Sequence, residues 1–255
     1  MRILVINLDR SPDRLAHMST SLHALGLEFE RLSGIDGKLL DPQEREDFES
    51  THRRDVPWLP GEVGIFLSHV KAWRQIAASS DAWSLILEDD VRFSPALPSF
   101  IQDFARADFP TDALIKIETM GNRVALSRRP VGSVGPIAVH RLRSPHMGAA
   151  GYLIAREMAE TLAKGHSRIK DTVDAIWIPS TMKVFGARLL QTLPALVVQD
   201  HADATAAQIG LPSVVDADRQ RGHRETFRQR LKRSLRKPLS RRLVFGRRVR
   251  IAFAR

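Results

Sequence analysis

Glu88-Asp89-Asp90 is where this chain concentrates groups that could do chemistry. The triplet follows the apolar run Trp83-Ser84-Leu85-Ile86-Leu87 and precedes Val91-Arg92-Phe93. Three carboxylates at the end of a buried strand are costly unless a cation or a cationic ligand offsets them. A hard divalent ion such as Mg2+ or Mn2+ takes oxygen ligands, commonly one or two carboxylates together with substrate phosphates. In extended backbone Glu88 and Asp90 point to one side and Asp89 to the other. Glu88 and Asp90 are therefore the expected metal or diphosphate partners, and Asp89 is placed for donor-sugar hydroxyls or adjacent backbone. The bland alternative is a solvated acidic turn.

The elements that must position this triplet read as strands alternating with helices, which indicates an α/β sandwich. Residues 2–8 are rich in Ile, Leu and Val and read as a buried strand. Ser11-Pro12-Asp13 opens a helix that Gly26 stops, and residues 27–32 form a second strand ending in Ser33-Gly34-Ile35-Asp36-Gly37-Lys38. Residues 61–78 form the clearest helix, with Phe66, Val70, Trp73 and Ala77 on one stripe. Later strands are expected at 113–117, 151–155, 183–190 and 195–199, with short helices at 97–107, 156–163 and 171–178. The stretch 121–147, with basic residues, glycines and prolines but little periodicity, reads as a flexible active-site loop.

Composition bounds the rest. A chain of 255 residues suits one large α/β domain or two small ones and should bury roughly 70–75% of its unfolded surface. It has no cysteine, which excludes disulfides and thiolate metal sites and fits a reducing cytoplasm. The apolar run at residues 3–6 is too short for a signal peptide, and no segment approaches twenty apolar residues. A soluble or peripheral protein is expected. The net charge is +10, yet residues 219–255 hold 15 Lys or Arg against the single acid Glu225, so residues 1–218 sum to −4. The body is mildly acidic and the basic excess is a tail, 219–255. There Phe227, Leu231 and Leu235 recur at four-residue spacing along an expected cationic helix ended by Pro238. An anionic membrane surface is its expected partner, and a solvated tail or a nucleic-acid ligand the alternatives.

Asn7, Asp9, Arg10 and Arg14 lie where the first strand gives way to a helix. In an open α/β sheet ligands bind at the carboxyl ends of strands, and a helix N-terminus with two arginines suits a diphosphate. The alternative is an exposed helix face, with Arg10 and Arg14 four positions apart beside Asp13. Asp36 and Lys38 are placed to hold ribose or base, or else form a plain glycine turn. Ser68 and His69 are offset from the apolar stripe of their helix, so His69 does not read as core on this pattern.

Four blocks together resemble glycosyltransferase family 25, the lipopolysaccharide and lipooligosaccharide biosynthesis transferases. They are Val5-Ile6-Asn7-Leu8-Asp9-Arg10-Ser11-Pro12-Asp13-Arg14; Arg31-Leu32-Ser33-Gly34-Ile35-Asp36-Gly37-Lys38; Gly61-Glu62-Val63-Gly64 with Leu67-Ser68-His69; and Leu85-Ile86-Leu87-Glu88-Asp89-Asp90-Val91. Fainter matches are Gly151-Tyr152-Leu153-Ile154, Val173-Asp174 and Gln199-Asp200. The chain departs from the usual pattern at Ile65-Phe66, where small residues or cysteine are common, and its basic tail lies outside the shared region.

The resemblance implies a GT-A fold, of Rossmann-like α/β type, and transfer of a hexose from a UDP-sugar to a glycan or glycolipid acceptor with inversion. It favours a donor-site role for Ser68 and His69. Single displacement needs a carboxylate base for the acceptor hydroxyl, and the late block makes Asp174 the candidate. Asp171, three residues earlier, is the runner-up and also reads as a helix cap. His201 is a further candidate metal ligand. A GT-A-like domain over 1–218, peripheral at the cytoplasmic face of the inner membrane, is the expectation. The competing expectation is a non-catalytic scaffold whose tail binds nucleic acid or another polyanion.

Overall fold

The computed structural model describes residues 1–199 and 246–254. In chain order its first half comprises β1 (Arg2–Asn7), α1 (Pro12–Ala24), β2 (Glu30–Ser33), α2 (Pro42–Thr51), α3 (Pro60–Ala77), β3 (Trp83–Glu88), β4 (Val91–Phe93), α4 (Leu97–Phe104), β5 (Ala113–Lys116) and β6 (Glu118–Thr119). There follow β7 (Arg123–Leu126), β8 (Gly132–Val134), β9 (Ile137–Arg141), β10 (Gly151–Ala155), α5 (Arg156–Gly165), α6 (Pro179–Met182), β11 (Arg188–Leu193), β12 (Val197–Gln199) and β13 (Arg247–Arg250). Among the shorter turns, a 3-10 helix spans Val173–Trp177.

The α/β class expected from the sequence is what the chain adopts. An eight-stranded sheet runs in the order β2-β1-β3-β10-β5-β11-β9-β8. At one edge β1 is parallel to both β2 and β3, with Asn7 opposite Ser33 and Ile6 opposite Glu88. The carboxyl ends of three strands therefore meet, and the loops leaving them carry the candidate site.

Alternation in β1 explains the layering. Leu4 and Ile6 face a core shared with α3 and α5, while Ile3 and Val5 face one shared with α1 and α4. At about 25 cal/mol per Å2 of apolar surface removed from water, these two cores fix the helices on opposite faces of the sheet. Pro12 starts α1 without forfeiting a needed donor. Gly26, at φ +68°, ends it in backbone that glycine adopts without strain.

Three expectations need correction. The strand expected at 183–190 begins only at Arg188, after a 3-10 turn over Lys183–Phe185. The stretch 121–147 is not a structureless loop: it contains β7, β8 and β9, strands of three to five residues too short to show a period, set between turns that hold Pro130, Gly135 and Pro136. The basic C-terminal segment is not wholly an appendage either. Arg247–Arg250 pair antiparallel with β7, Ile251 is buried, and its carbonyl accepts a hydrogen bond from the Thr119 hydroxyl at 2.9 Å. Phe227, Leu231, Leu235, Asp200 and His201 lie outside the described residues.

Candidate active site

Asn7, the last residue of β1, organises the site. Its Nδ2 donates to the Asp89 carboxylate at 2.7 Å and to the Ser11 carbonyl at 2.9 Å, while its Oδ1 accepts from Arg31 Nε at 3.0 Å. Arg14 reaches back from α1, donating to Asp89 at 2.8 Å and standing 3.8 Å from Asp90. Asp89 thus faces the protein, and Arg14 is buried against it rather than displayed on a helix face. Asp9 is exposed and accepts from Arg31 and from Ser33 Oγ; these hydrogen bonds hold its carboxyl below the usual range.

The loop after β2 forms the opposite wall. Asp36 pairs with Arg10 and accepts the Lys38 backbone N–H at 3.1 Å, so it both shapes the turn and holds the arginine. Two close approaches press this loop onto α3. A Cβ on Gly37 would meet the Pro60 carbonyl oxygen at 1.8 Å, and one on Gly64 the Ile35 carbonyl oxygen at 2.5 Å. Only glycine fits either place. Ser68 completes the joint: its Oγ accepts from Ile35 N at 2.8 Å and donates to the Gly64 carbonyl at 2.7 Å. Between these walls lies a cleft with Glu88, Asp89 and Asp90 along its floor and Arg10, Asp36, Lys38 and Ile65 along its sides.

His69 corrects the expectation drawn from the apolar stripe. It is fully buried, because α3 packs on the sheet with one flank and on α5 with another, so the buried set runs from Val63 through Ser68, His69 and Trp73 to Ile76. The network assigns its tautomer. Trp73 Nε1 donates to the Tyr152 hydroxyl at 2.8 Å; Tyr152 in turn donates to His69 Nδ1 at 2.9 Å, leaving Nε2–H directed at Glu88 Oε1, 3.3 Å away. Burial pushes the His69 pKa down to about 3, so a neutral imidazole holds Glu88 in place. Burial likewise pushes the Tyr152 phenol up.

Glu88 and Asp90 share one donor, Gln199 Nε2, at 3.4 and 3.3 Å. Their common partner agrees with the strand geometry that put them on one side. Burial raises the Glu88 pKa well above the usual carboxylate range, and repulsion from Asp90, Glu118, Asp174 and Asp89 adds to it. Asp174, in the 3-10 turn, is thus near enough for Glu88 to feel its charge. Asp171 keeps different company: its side chain is 62% exposed, stands 3.6 Å from Arg54 and accepts the Thr172 N–H. Thr172, not Asp171, precedes the turn.

Lys116 and Glu118 escaped sequence reasoning, although their i, i+2 spacing in the apolar Ala113-Leu114-Ile115-Lys116-Ile117-Glu118 puts both on one face of a buried strand. They form a fully buried ion pair at 2.8 Å. Glu118 also accepts the Ala150 N–H at 2.9 Å, and its Oε1 is buried without a partner.

The donor set can be tested against a divalent metal. Among the described residues no three His, Asp or Glu side chains form a complete ligand cluster. Glu88 and Asp90 do offer two hard oxygen donors in a pocket of excess negative charge, which suits Mg2+ or Mn2+ completed by phosphate and water. That fit is chemical, and it leaves the ligand geometry to the substrate.

A parallel-strand edge whose carboxyl ends carry an acidic floor and cationic walls stands where open α/β sheets bind their ligands. The profile of glycosyltransferase family 25 (LPS biosynthesis protein) matches residues 1–177. The chain belongs to that family. It is 26% identical over 260 residues to the lacto-N-neotetraose biosynthesis glycosyltransferase LgtB of Neisseria gonorrhoeae, covering 91% of this chain and 90% of that one. It is 35% identical over 102 residues to a glycosyltransferase 25 family member of Aedes aegypti, spanning 36% of this chain but 16% of that protein. Among solved structures, a glycosyltransferase involved in glycosylation of the major capsid of PBCV-1 aligns over 81% of this chain and 94% of its own, with 11% identity and a TM-score of 0.44. No helix among the described residues is long and apolar enough to cross a membrane.

Proposed function

We propose that this chain transfers a hexose, galactose or glucose, from a UDP-sugar to a lipopolysaccharide or related envelope glycan, inverting the anomeric centre. The acceptor class is carried over from the family's description as an LPS biosynthesis protein, and the Neisseria relatives, named for lacto-N-neotetraose biosynthesis, agree with a glycan acceptor. The observation that carries the donor reading is the acidic floor, where burial and four neighbouring carboxylates raise Glu88, facing Arg10 and Lys38 across one cleft. Arg14 offsets part of this charge, and a cation accompanying the ligand would offset the rest.

In this reading Arg10 and Lys38 hold the diphosphate, and Asn7 and Arg14 anchor Asp89 so that the floor keeps its shape. Glu88 and Asp90 are the residues that would hold Mg2+ or Mn2+, which when bound offsets the charge of the departing UDP. Asp174 accepts the proton of the attacking acceptor hydroxyl at Oδ, so attack comes from the face opposite the leaving group. His69, Ser68 and Gln199 act by positioning, since each is engaged by protein groups. The enzyme works at the cytoplasmic face of the inner membrane, held there peripherally by its basic residues.

The test is a thermal-shift panel of UDP-galactose, UDP-glucose, UDP-N-acetylglucosamine and a GDP-sugar with and without Mn2+, followed by turnover on a lipooligosaccharide acceptor. Stabilisation by a UDP-sugar and sugar transfer are expected. Absence of any nucleotide-sugar shift at millimolar concentration, with or without metal, overturns the reading.

A further inference from the structure

Two arginine-rich stretches far apart in sequence are joined into one surface. Residues 119–147 and 246–254 contain no Asp or Glu. β13 pairs with β7 so that Arg250 lies directly opposite Arg123, and Arg248 opposite Ala125. On its other side β7 meets residues 141–143: Leu126 bridges Leu142, Ser127 N donates to the Arg141 carbonyl at 2.9 Å, and Arg143 N donates to the Ala125 carbonyl at 2.8 Å.

The side-chain directions follow from that register, since directly opposed residues share a face and neighbours alternate. Val124, Leu126 and Leu142 turn inward and are buried. Arg123, Arg141, Arg143, Arg248 and Arg250 turn outward, and all five are exposed. The Arg143 Cδ lies 3.4 Å from where a Cβ on Gly246 would stand, so its stem reaches β13. None of the five has a carboxylate partner among the described residues. Like charges directly opposed across strands are destabilising, so the Arg123–Arg250 pairing opposes folding unless an anion lies over it.

We propose that this outward face of β13, β7 and residues 141–143 is the surface that docks the protein on an anionic phospholipid bilayer. Guanidinium forks match phosphate oxygens in bidentate fashion. A single-stranded nucleic acid is the poorer fit, because it needs aromatic platforms for its bases. The exposed large hydrophobics among the described residues are Met, Leu and Val, with no aromatic. The sheet hangs from β6 through Thr119–Ile251 and Arg250–Gly121 hydrogen bonds, and β6 carries Glu118, so the docked face is tied to the strand beneath the catalytic floor. The inference rests on the peripheral-membrane part of the proposed function and replaces the C-terminal stretch alone with a folded surface as its seat.

The experiment is sedimentation of the full chain with phosphatidylglycerol-containing vesicles and with pure phosphatidylcholine vesicles at low salt. Each arginine near such a surface contributes about fivefold in partition, so Arg123→Gln/Arg141→Gln/Arg248→Gln should weaken binding to anionic vesicles roughly a hundredfold. UDP-sugar binding should stay unchanged, because none of the three lines the cleft. Arg123→Glu alone is the control against misfolding: it sets an opposite charge against Arg250, so its melting temperature should equal or exceed that of the natural chain while vesicle binding still falls. Anionic-vesicle binding by the triple variant equal to that of the natural chain overturns the proposal. So does displacement of the natural chain from anionic vesicles by single-stranded RNA at equal phosphate concentration. A loss of UDP-sugar binding in the natural chain would strike the transfer reading and leave this one standing.

Discussion

Arg14 donates a 2.8 Å hydrogen bond to Asp89 across 75 positions of chain, with both side chains about nine-tenths enclosed. Removing one partner of such a pair leaves the other as a buried charge without its compensation. Arg14→Ala should therefore destabilise the fold by about 3–5 kcal/mol, read as a lower urea midpoint at unchanged slope. A loss under about 1 kcal/mol, the level of an exposed pair, would mean that the contact does not hold the loop.

Arg10 should behave in the opposite way. It is 44% exposed and pairs with Asp36 at the rim of the cleft, so Arg10→Ala should change stability by less than about 1 kcal/mol. Affinity for the UDP-sugar should fall by about 1.5–3 kcal/mol, the loss of a charge-assisted contact. An unaltered dissociation constant by calorimetry would place the diphosphate elsewhere.

Much of this contrast was beyond the sequence for a physical reason. Ile3 and Val5 against Leu4 and Ile6 showed a strand with two buried faces, and Pro12 and Gly26 bracketed α1, because those signals are local. The triplet and its split into Glu88 with Asp90 against Asp89 were legible for the same reason. The partner of Arg14 was not, since it depends on which strand β1 lies beside. Nor was the burial of His69, which comes from α3 being covered on two flanks rather than one. β7 lacked any visible period because it has four residues, three of them buried in succession, and its partner Arg247–Arg250 lies too far along the chain for a hairpin signal.

Asp90→Asn tests the acidic floor. The substitution keeps the shape and leaves Oδ1 able to accept from Gln199 Nε2, so packing should survive. It removes one of the two charges that would hold the metal against the leaving diphosphate, and transfer should fall by at least about a hundredfold. Turnover at the natural rate, with the melting temperature unchanged, removes Asp90 from the chemistry.

His146 makes stability pH-dependent away from the proposed metal ligands. Its Nδ1–H donates to Gln191 Oε1 at 2.8 Å. Burial, followed by the Lys116 charge, pushes its pKa down to about 3 from 6.5. Between those values the unfolded chain binds a proton that the folded chain refuses, so stability is full above pH 6.5 and is lost as pH falls. The slope should be about 1.4 kcal/mol per pH unit for this one group. His146→Asn, which keeps a donor toward Gln191, should flatten the urea-midpoint profile between pH 4 and 6 by that amount. An identical slope in the variant assigns the acid sensitivity to other groups.

Asp174 and Asp171 separate the base from its neighbour. Asp174 is close enough to raise the Glu88 pKa, whereas Asp171 is exposed and set against Arg54. A base acts on the acceptor proton and not on the donor, so Asp174→Asn should lower kcat by roughly 10²–10⁴ with little change in UDP-sugar affinity. The pH–rate profile should lose its acidic limb at the same time, an effect that a merely structural aspartate does not produce. Asp171→Asn should leave kcat within about twofold, because its carboxylate is 62% exposed and stands against Arg54 rather than beside Glu88. If the kcat loss and the missing acidic limb appear in Asp171→Asn and not in Asp174→Asn, the base stands on the Arg54 side of the turn and the acceptor must approach from there.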